Sequence, residues 1–356
     1  MVEIARAVSA DCKVLILDES TSALSETEQS RLYQLIERLK TRRIGILYIS
    51  HKLDEVRQLS DTLTVMRDGR RVATVPTAAV DHGEMVEMMV GRIHATASAA
   101  SPASGAIGLQ VSDLSSAAAK VCKVTFAVRR GEIVGLAGLL GSGRSELFET
   151  LFGMHRIDSG EIRVHGCPVR LRSPASATTA GVALVPEDRR NQGIFPGLPV
   201  WKNAALAACG DLFGSAAGWV RQREAQAATR RDVERFGIKT ATIAAKIEQL
   251  SGGNQQKGVL ARWLMRSPAV LLLDDPTAGI DVGGKGEIHA VVRELAARGM
   301  SVVVSSSEFS ELIDLCHRIL VIRGGALVGE MDPQICTEAE LVHAASVKDA
   351  TSGIKP

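Results

Sequence analysis

The chain has 356 residues, 46% of them hydrophobic and 23% charged, as in an ordinary soluble globular protein of about two domains. Its 42 Lys and Arg nearly balance 40 Asp and Glu, which gives no reason to expect nucleic acid or an anionic membrane as a direct partner. The six cysteines form no CxxC pair, so neither a disulfide framework nor a zinc site is expected, and no apolar run reaches the roughly 20 residues that span a bilayer.

The first residues, MVEIARAVSADCK, lack the long apolar core of a signal peptide, so the chain is expected in the cytosol, with any membrane link made by a partner. Val14–Leu17 and Ile44–Ile49 read as strands, the first running into Asp18-Glu19 and the second into Ser50-His51. Residues 94–106, HATASAASPASGA, are small, polar and punctuated by Pro and Gly, and read as a linker. After it, Glu132–Ala137 is an apolar strand, a glycine-rich turn follows, and Ser145–Leu151 opens a helix. The Ala-, Arg- and Gln-rich stretch from Trp201 to about Lys239 reads as helical, and so does Gly253–Met265. Val270–Leu273, Ser301–Val304 and Ile319–Ile322 are short β-branched or leucine runs of the kind found in buried parallel strands. The alternation predicts a three-layer α/β core with a helical insertion.

Residues 1–72 align without a gap to residues 257–328, at a constant offset of 256. Val14–Glu19 meets Val270–Asp275, Thr21 meets Thr277, Ser50 meets Ser306, and Gly69 meets Gly325. The expected organisation is therefore the C-terminal part of one domain at 1–93, the linker, a complete second copy at 107–346 and a tail at 347–356. On this reading the first copy is incomplete, and Met1 is an internal methionine of a longer frame or the start of a truncated gene. Half an α/β domain standing free should expose strand edges and an apolar sheet face.

Three stretches carry phosphate chemistry. Gly138-Leu139-Leu140-Gly141-Ser142-Gly143-Arg144-Ser145 lies between a strand and a helix. There, glycines turn backbone N–H groups toward phosphate oxygens and the helix N-terminus favours an anion. Ser145 is suited to ligate Mg²⁺, while Arg144 replaces the usual lysine with a planar fork. A glycine turn with arginine is equally what a structural turn looks like. The order of motifs adds weight: Leu250-Ser251-Gly252-Gly253-Asn254-Gln255-Gln256 precedes a helix, and Leu271–Leu273 then ends in Asp274-Asp275. An acidic pair at a strand end places one carboxylate on Mg²⁺ and the next beside an attacking water, and the Ser-Gly-Gly turn is a second backbone nest for phosphate.

LSGGNQQ, LLLDDPT and LILDEST resemble the ABC ATPases. GLLGSGRSEL, VPEDRR and LSGGNQQK resemble the second domain of the tandem ATPases that drive bacterial monosaccharide importers of the ribose, xylose, galactose and arabinose type. The resemblance implies a P-loop NTPase core with a parallel sheet, an antiparallel β subdomain and a helical subdomain. It implies ATP and Mg²⁺ as ligands, and head-to-tail pairing of ATPase domains. Its implied partners are integral-membrane permease subunits and, indirectly, a sugar-binding protein, with the chain peripheral on the cytoplasmic face of the membrane. It assigns Asp18, Ser145 and Asp274 to the metal, and Glu19, His51 and Asp275 to catalysis. Gly138, Gly141, Ser142, Gly143, Arg144, Ser145, Glu187, Ser251, Gly252 and Gly253 are assigned to ATP. Glu187 stands where the wider family has a glutamine, Ser307 stands opposite His51, and no aromatic lies between Ser115 and Val121 to stack on adenine. The second copy is thus expected to bind nucleotide and turn over poorly, and the chain alone to hydrolyse slowly. Residues 185–203 occupy the position of the loop that receives a permease helix. The other readings are an inactive remnant and a soluble ABC ATPase without a transport role.

Overall fold

A computed structural model describes residues 12–18, 20–21, 26–50, 53–67, 70–81, 83–85, 88, 105–214 and 219–346. Two compact units divide near residue 96. Of the sequence expectations, Glu19, His51, most of the linker and the tail lie outside the described residues.

The first unit contains β1 (Val14–Asp18), α1 (Glu26–Thr41), β2 (Gly45–Ile49), α2 (Leu53–Leu59), β3 (Thr62–Arg67) and β4 (Arg70–Pro76). β1 and β2 pair in parallel, and β3 and β4 form an antiparallel hairpin with a bulge after Val65. One face of β1–β2 buries Leu15 and Leu17 against Leu32, Ile36 and Leu39 of α1. The opposite face is bare, with Val14 63%, Ile16 62%, Leu47 55% and Ile49 44% exposed.

The second unit opens with β5 (Ile107–Ser116) and β6 (Val121–Arg129), then β7 (Ile133–Ala137), α3 (Arg144–Leu151), β8 (Ser159–Val164), β9 (Cys167–Val169), α4 (Pro174–Thr179) and β10 (Val182–Val185). Next come α5 (Val200–Ala205), α6 (Gln222–Arg235), α7 (Gly252–Leu264), β11 (Val270–Leu273), α8 (Val282–Ala297) and β12 (Ser301–Ser305). α9 (Phe309–Leu315), β13 (Arg318–Arg323), β14 (Ala326–Met331) and α10 (Glu338–Ser346) complete it. The central sheet runs β10-β11-β12-β7-β13-β14, parallel except for the antiparallel β14 edge. Every residue of β7, β10, β11 and β12 is buried, as a sheet covered on both faces requires. Side chains alternate faces along a strand. Leu271 and Leu273 therefore join the core layer of α7 and α8, while Val270 and Leu272 join Phe148 and Leu151 of α3. β6-β5-β8-β9 make a separate four-stranded antiparallel sheet.

The expected helix from Trp201 to Lys239 is corrected: the structure breaks it into α5 and α6. The break carries Gly210 and Gly214, glycine being a poor helix interior residue, and an isolated bridge joins Gly214 to Val220. Glu132 falls outside its expected strand. It caps the turn before β7 instead, its carboxylate accepting the Arg129 N–H at 2.6 Å and pairing with Arg318 at 2.7 Å.

The two units share their strand registers. β1–β2 aligns Val14 with Gly45, and β11–β12 aligns Val270 with Ser301. The hairpins align Leu63 with Val75 and Ile319 with Met331, with bulges after Val65 and Val321. Each pair in the second unit lies 256 residues beyond its counterpart. What differs is cover: Val270, Leu272 and Val303 are fully enclosed, while their counterparts Val14, Ile16 and Leu47 face solvent.

Candidate functional site

β7 delivers the chain into the loop Gly138–Gly143, which turns directly into α3. Gly143 is the residue before the helix and has φ +101°, a region side chains strain to enter. A Cβ there would also lie 2.9 Å from Cα of Gly325, so the position demands glycine twice over. Gly325, in the β13–β14 turn, donates its N–H to Ser142 O at 2.8 Å, and its own carbonyl accepts from Cys122 N at 2.9 Å. The loop is therefore clamped from a hairpin far along the chain. Ser142 is buried with an Oγ that has no hydrogen-bond partner among the described residues, and no side chain caps α3. An orphaned hydroxyl beside uncapped helix N–H groups is a cradle that an anion would complete.

The carboxylates stand at the end of β11. Asp274 Oδ1 accepts from Ser305 Oγ at 2.6 Å, and Ser145 is a further hydrogen-bond partner. Asp275 is held at φ +41°. Its Oδ2 accepts the Ser307 N–H at 3.0 Å, and its own N–H donates to Ser305 Oγ at 3.1 Å. Burial raises the pKa of both carboxyls, with hydrogen bonds from Ser305 and Ser145 and from Ser307 pulling the other way. Glu187, just beyond β10, is also raised, by burial first and then by the charges of Asp274 and Asp275. The guanidinium of Arg144 is the nearby positive charge that favours ionisation of all three. Arg144 Nη1 itself donates to Ser306 O at 2.6 Å, so the fork bridges the loop to the end of β12.

Ser145, Glu187 and Asp274 line one cavity of about 720 Å³, with Phe152, Arg262 and Trp263 on its walls. Ser251, Gly252 and Gly253 are not part of that wall; they form the N-terminus of α7, whose later residues Val259, Arg262 and Trp263 are. Asp18 is exposed at the end of β1. Ser305 escaped the sequence reading, and so did the roles of Gly325, known only as the match of Gly69, and Arg189, known only as part of VPEDRR. The counterpart of Ser305 is Ile49, so the repeat carried no signal for it.

Beneath this site lies a network present in both units. Thr277 Oγ1 and Ser306 Oγ both donate to Glu311 Oε2, at 2.6 Å and 3.0 Å, while Lys285 pairs with Glu311 at 2.9 Å. In the first unit Thr21 Oγ1 and Ser50 Oγ both donate to Glu55 Oε2, at 2.8 Å and 3.3 Å.

An ABC transporter family model matches residues 121–278, which include the loop, Glu187, the Ser-Gly-Gly turn and the acidic pair. A ribose/galactose/methyl galactoside import ATP-binding protein of Burkholderia ambifaria is 42% identical over 353 residues, covering 99% of this chain and 68% of the relative. The chain belongs to the ATP-binding proteins of ABC transporters. A second such protein, of Pseudomonas syringae pv. tomato, is 43% identical over 348 residues, covering 97% of this chain and 66% of the relative. Among solved structures, cbiO1 from Clostridium perfringens, part of the ABC transporter complex cbiONQ, superposes with a TM-score of 0.56 at 22% identity. The match covers 67% of this chain and 94% of cbiO1. A nucleotide-free ATP-binding cassette gives 0.57 at 19%, covering 68% and 96%. At that identity these structures speak to the fold, which is that of the ABC ATPases. Among the described residues of this ABC protein, no helix is long and apolar enough to cross a membrane.

Proposed function

We propose that this chain is the ATP-binding and ATP-hydrolysing subunit that energises sugar import through membrane permease subunits, peripheral on the cytoplasmic face and served by a sugar-binding protein. The relatives' names support the sugar, and the sequence motifs support the rest. The observation that carries nucleotide binding is the loop Gly138–Ser145 with its orphaned Ser142 hydroxyl beside the Ser145–Asp274 pair.

In this reading Gly138, Gly141, Ser142 and Gly143 offer backbone and hydroxyl donors to phosphate, and Arg144 supplies charge to the same oxygens. Ser145, Asp274 and the nucleotide's own oxygens would hold Mg²⁺. Bound there, Mg²⁺ would neutralise phosphate charge. Asp275 is the carboxylate nearest the role of water polariser, but the Ser307 N–H already engages it. Ser307 brings no imidazole, and slow turnover at this site follows. Asp18, Glu19 and His51 supply the equivalent hydrolytic groups of the first copy, with Ser251–Gly253 as phosphate donors in a head-to-tail pair. The chain carries the C-terminal part of one ATPase domain at 1–93 and a second copy of that domain at 107–346; the shared registers and the shared Thr–Glu–Ser network support this. Residues 185–203 border the cavity at Glu187 and receive a permease segment there.

Equilibrium binding of a labelled ATP analogue to the full chain tests the reading. Ser145→Ala and Arg144→Ala should each weaken Mg²⁺-dependent binding about tenfold or more. Binding indifferent to both would reject it. Steady-state turnover should be slow, and robust hydrolysis abolished by Glu19→Gln would show that the first copy's site is assembled.

A further inference from the structure

Arg189 is 8% exposed, its Nε is buried without a hydrogen-bond partner, and among the described residues no carboxylate pairs with its guanidinium. The charge felt most closely is that of Arg190, which repels it, and burial lowers its pKa. The stem packs on Gly193, where a Cβ would lie 3.4 Å from Arg189 Cγ. At its far end, Nη2 lies 3.1 Å from the point a Cβ on Gly252 would occupy. Gly252 is the first residue of the 13-residue helix α7. Ser251 precedes it and caps none of its N–H groups; its Oγ instead accepts from Asn254 Nδ2 at 2.7 Å, which leaves its own proton free to donate. A buried cation and the positive end of a helix thus meet at one point with no counter-charge, an arrangement that is costly until an anion completes it.

We propose that Arg189 is the cation of the phosphate site formed by Ser251 and the first N–H groups of α7, its guanidinium contacting the terminal phosphoryl group held there. This rests on the reading of Ser251–Gly253 as phosphate donors and adds to it a charged side chain from the loop that also carries Glu187. Bidentate guanidinium donors and helix N–H groups both match phosphate geometry. Glycine at Gly252 is what lets the fork approach the helix end. The phosphoryl group comes either from a nucleotide held by another ATPase domain or from free phosphate.

The full chain is tested with ATPγS and Mg²⁺, with ADP as the control lacking the terminal group, and with labelled orthophosphate. The variants are Arg189→Met, which keeps the packed stem, Arg189→Lys, which keeps the charge, and Ser145→Ala. Arg189→Met should weaken binding of ATPγS but not ADP, or of orthophosphate, about tenfold or more, with Arg189→Lys between it and the wild type. Loss on orthophosphate identifies free phosphate as the source; loss confined to ATPγS identifies the nucleotide. If neither probe is affected, Arg189 has no part in the site. Hydrogen exchange compares the wild type with Arg189→Met: the amides of Gly252, Gly253 and Asn254 should gain protection with one of the probes in the wild type and less in the variant, and equal gain in both overturns the proposal. Ser145→Ala reports separately on the phosphate loop. If it leaves ATPγS binding intact, the nucleotide reading fails, whatever Arg189 does.

Discussion

The Thr277 hydroxyl donates a 2.6 Å hydrogen bond to Glu311 Oε2 across 34 residues, tying the end of β11 to α9 beneath the acidic pair. Burial opposes ionisation of Glu311, yet bonds from His289, Thr277 and Lys285 outweigh it and lower the pKa from 4.5 to about 2. A depressed carboxyl contributes stability that is present above its unfolded pKa and lost as pH falls through the folded one. Unfolding free energy should therefore drop between about pH 4.5 and pH 2, by roughly 3 kcal/mol from this group. Glu311→Gln should flatten that part of the profile in urea titrations. Thr277→Val should cost about 1–3 kcal/mol at neutral pH.

Asp274 has the opposite sign. Its pKa is raised by burial, so its charge is a cost present above the folded pKa and absent below the unfolded one. Asp274→Asn should raise the thermal midpoint of the nucleotide-free chain while weakening Mg²⁺-dependent nucleotide binding by about 10- to 100-fold. A variant less stable than the wild type at neutral pH would contradict this account.

Gly143 and Gly141 both have positive φ, +101° and +76°, but only Gly143 is crowded. Gly141→Ala meets open space and should cost only the backbone strain, about 1 kcal/mol. Gly143→Ala must also displace Gly325, and should cost several times as much and abolish nucleotide binding. Paired denaturation curves compare the two directly.

The bare face of β1–β2 predicts self-association. Ile16→Thr with Leu47→Thr keeps β-branching on Ile16's strand and removes two exposed apolar side chains. Stability should change by less than about 0.5 kcal/mol each, while dye binding and concentration-dependent sedimentation should fall. Unchanged sedimentation would mean that this face is not adhesive.

Much of this molecule was legible in the sequence because it rests on local and periodic signals. Apolar runs gave the buried strands β7, β11, β12 and β13 to within a residue or two, and glycine spacing gave the turn from β7 into α3. A constant offset of 256 anticipated paired registers down to the bulges after Val65 and Val321. The exposed apolar face of β1–β2 agrees with the expectation of an exposed sheet face in the first unit. What the tertiary structure alone decided is where distant groups meet. Gly325 clamps the loop from a hairpin, Ser305 orients Asp274 although its repeat partner is isoleucine, and Ser307 occupies Asp275 through a backbone N–H that every non-proline residue has. Arg189 stood in the sequence only as part of VPEDRR, where a charged residue in a polar loop reads as solvated. Its burial against Gly252 depends on how the loop after β10 packs on α7, and packing between segments is set by shape and enclosure, which no local pattern encodes.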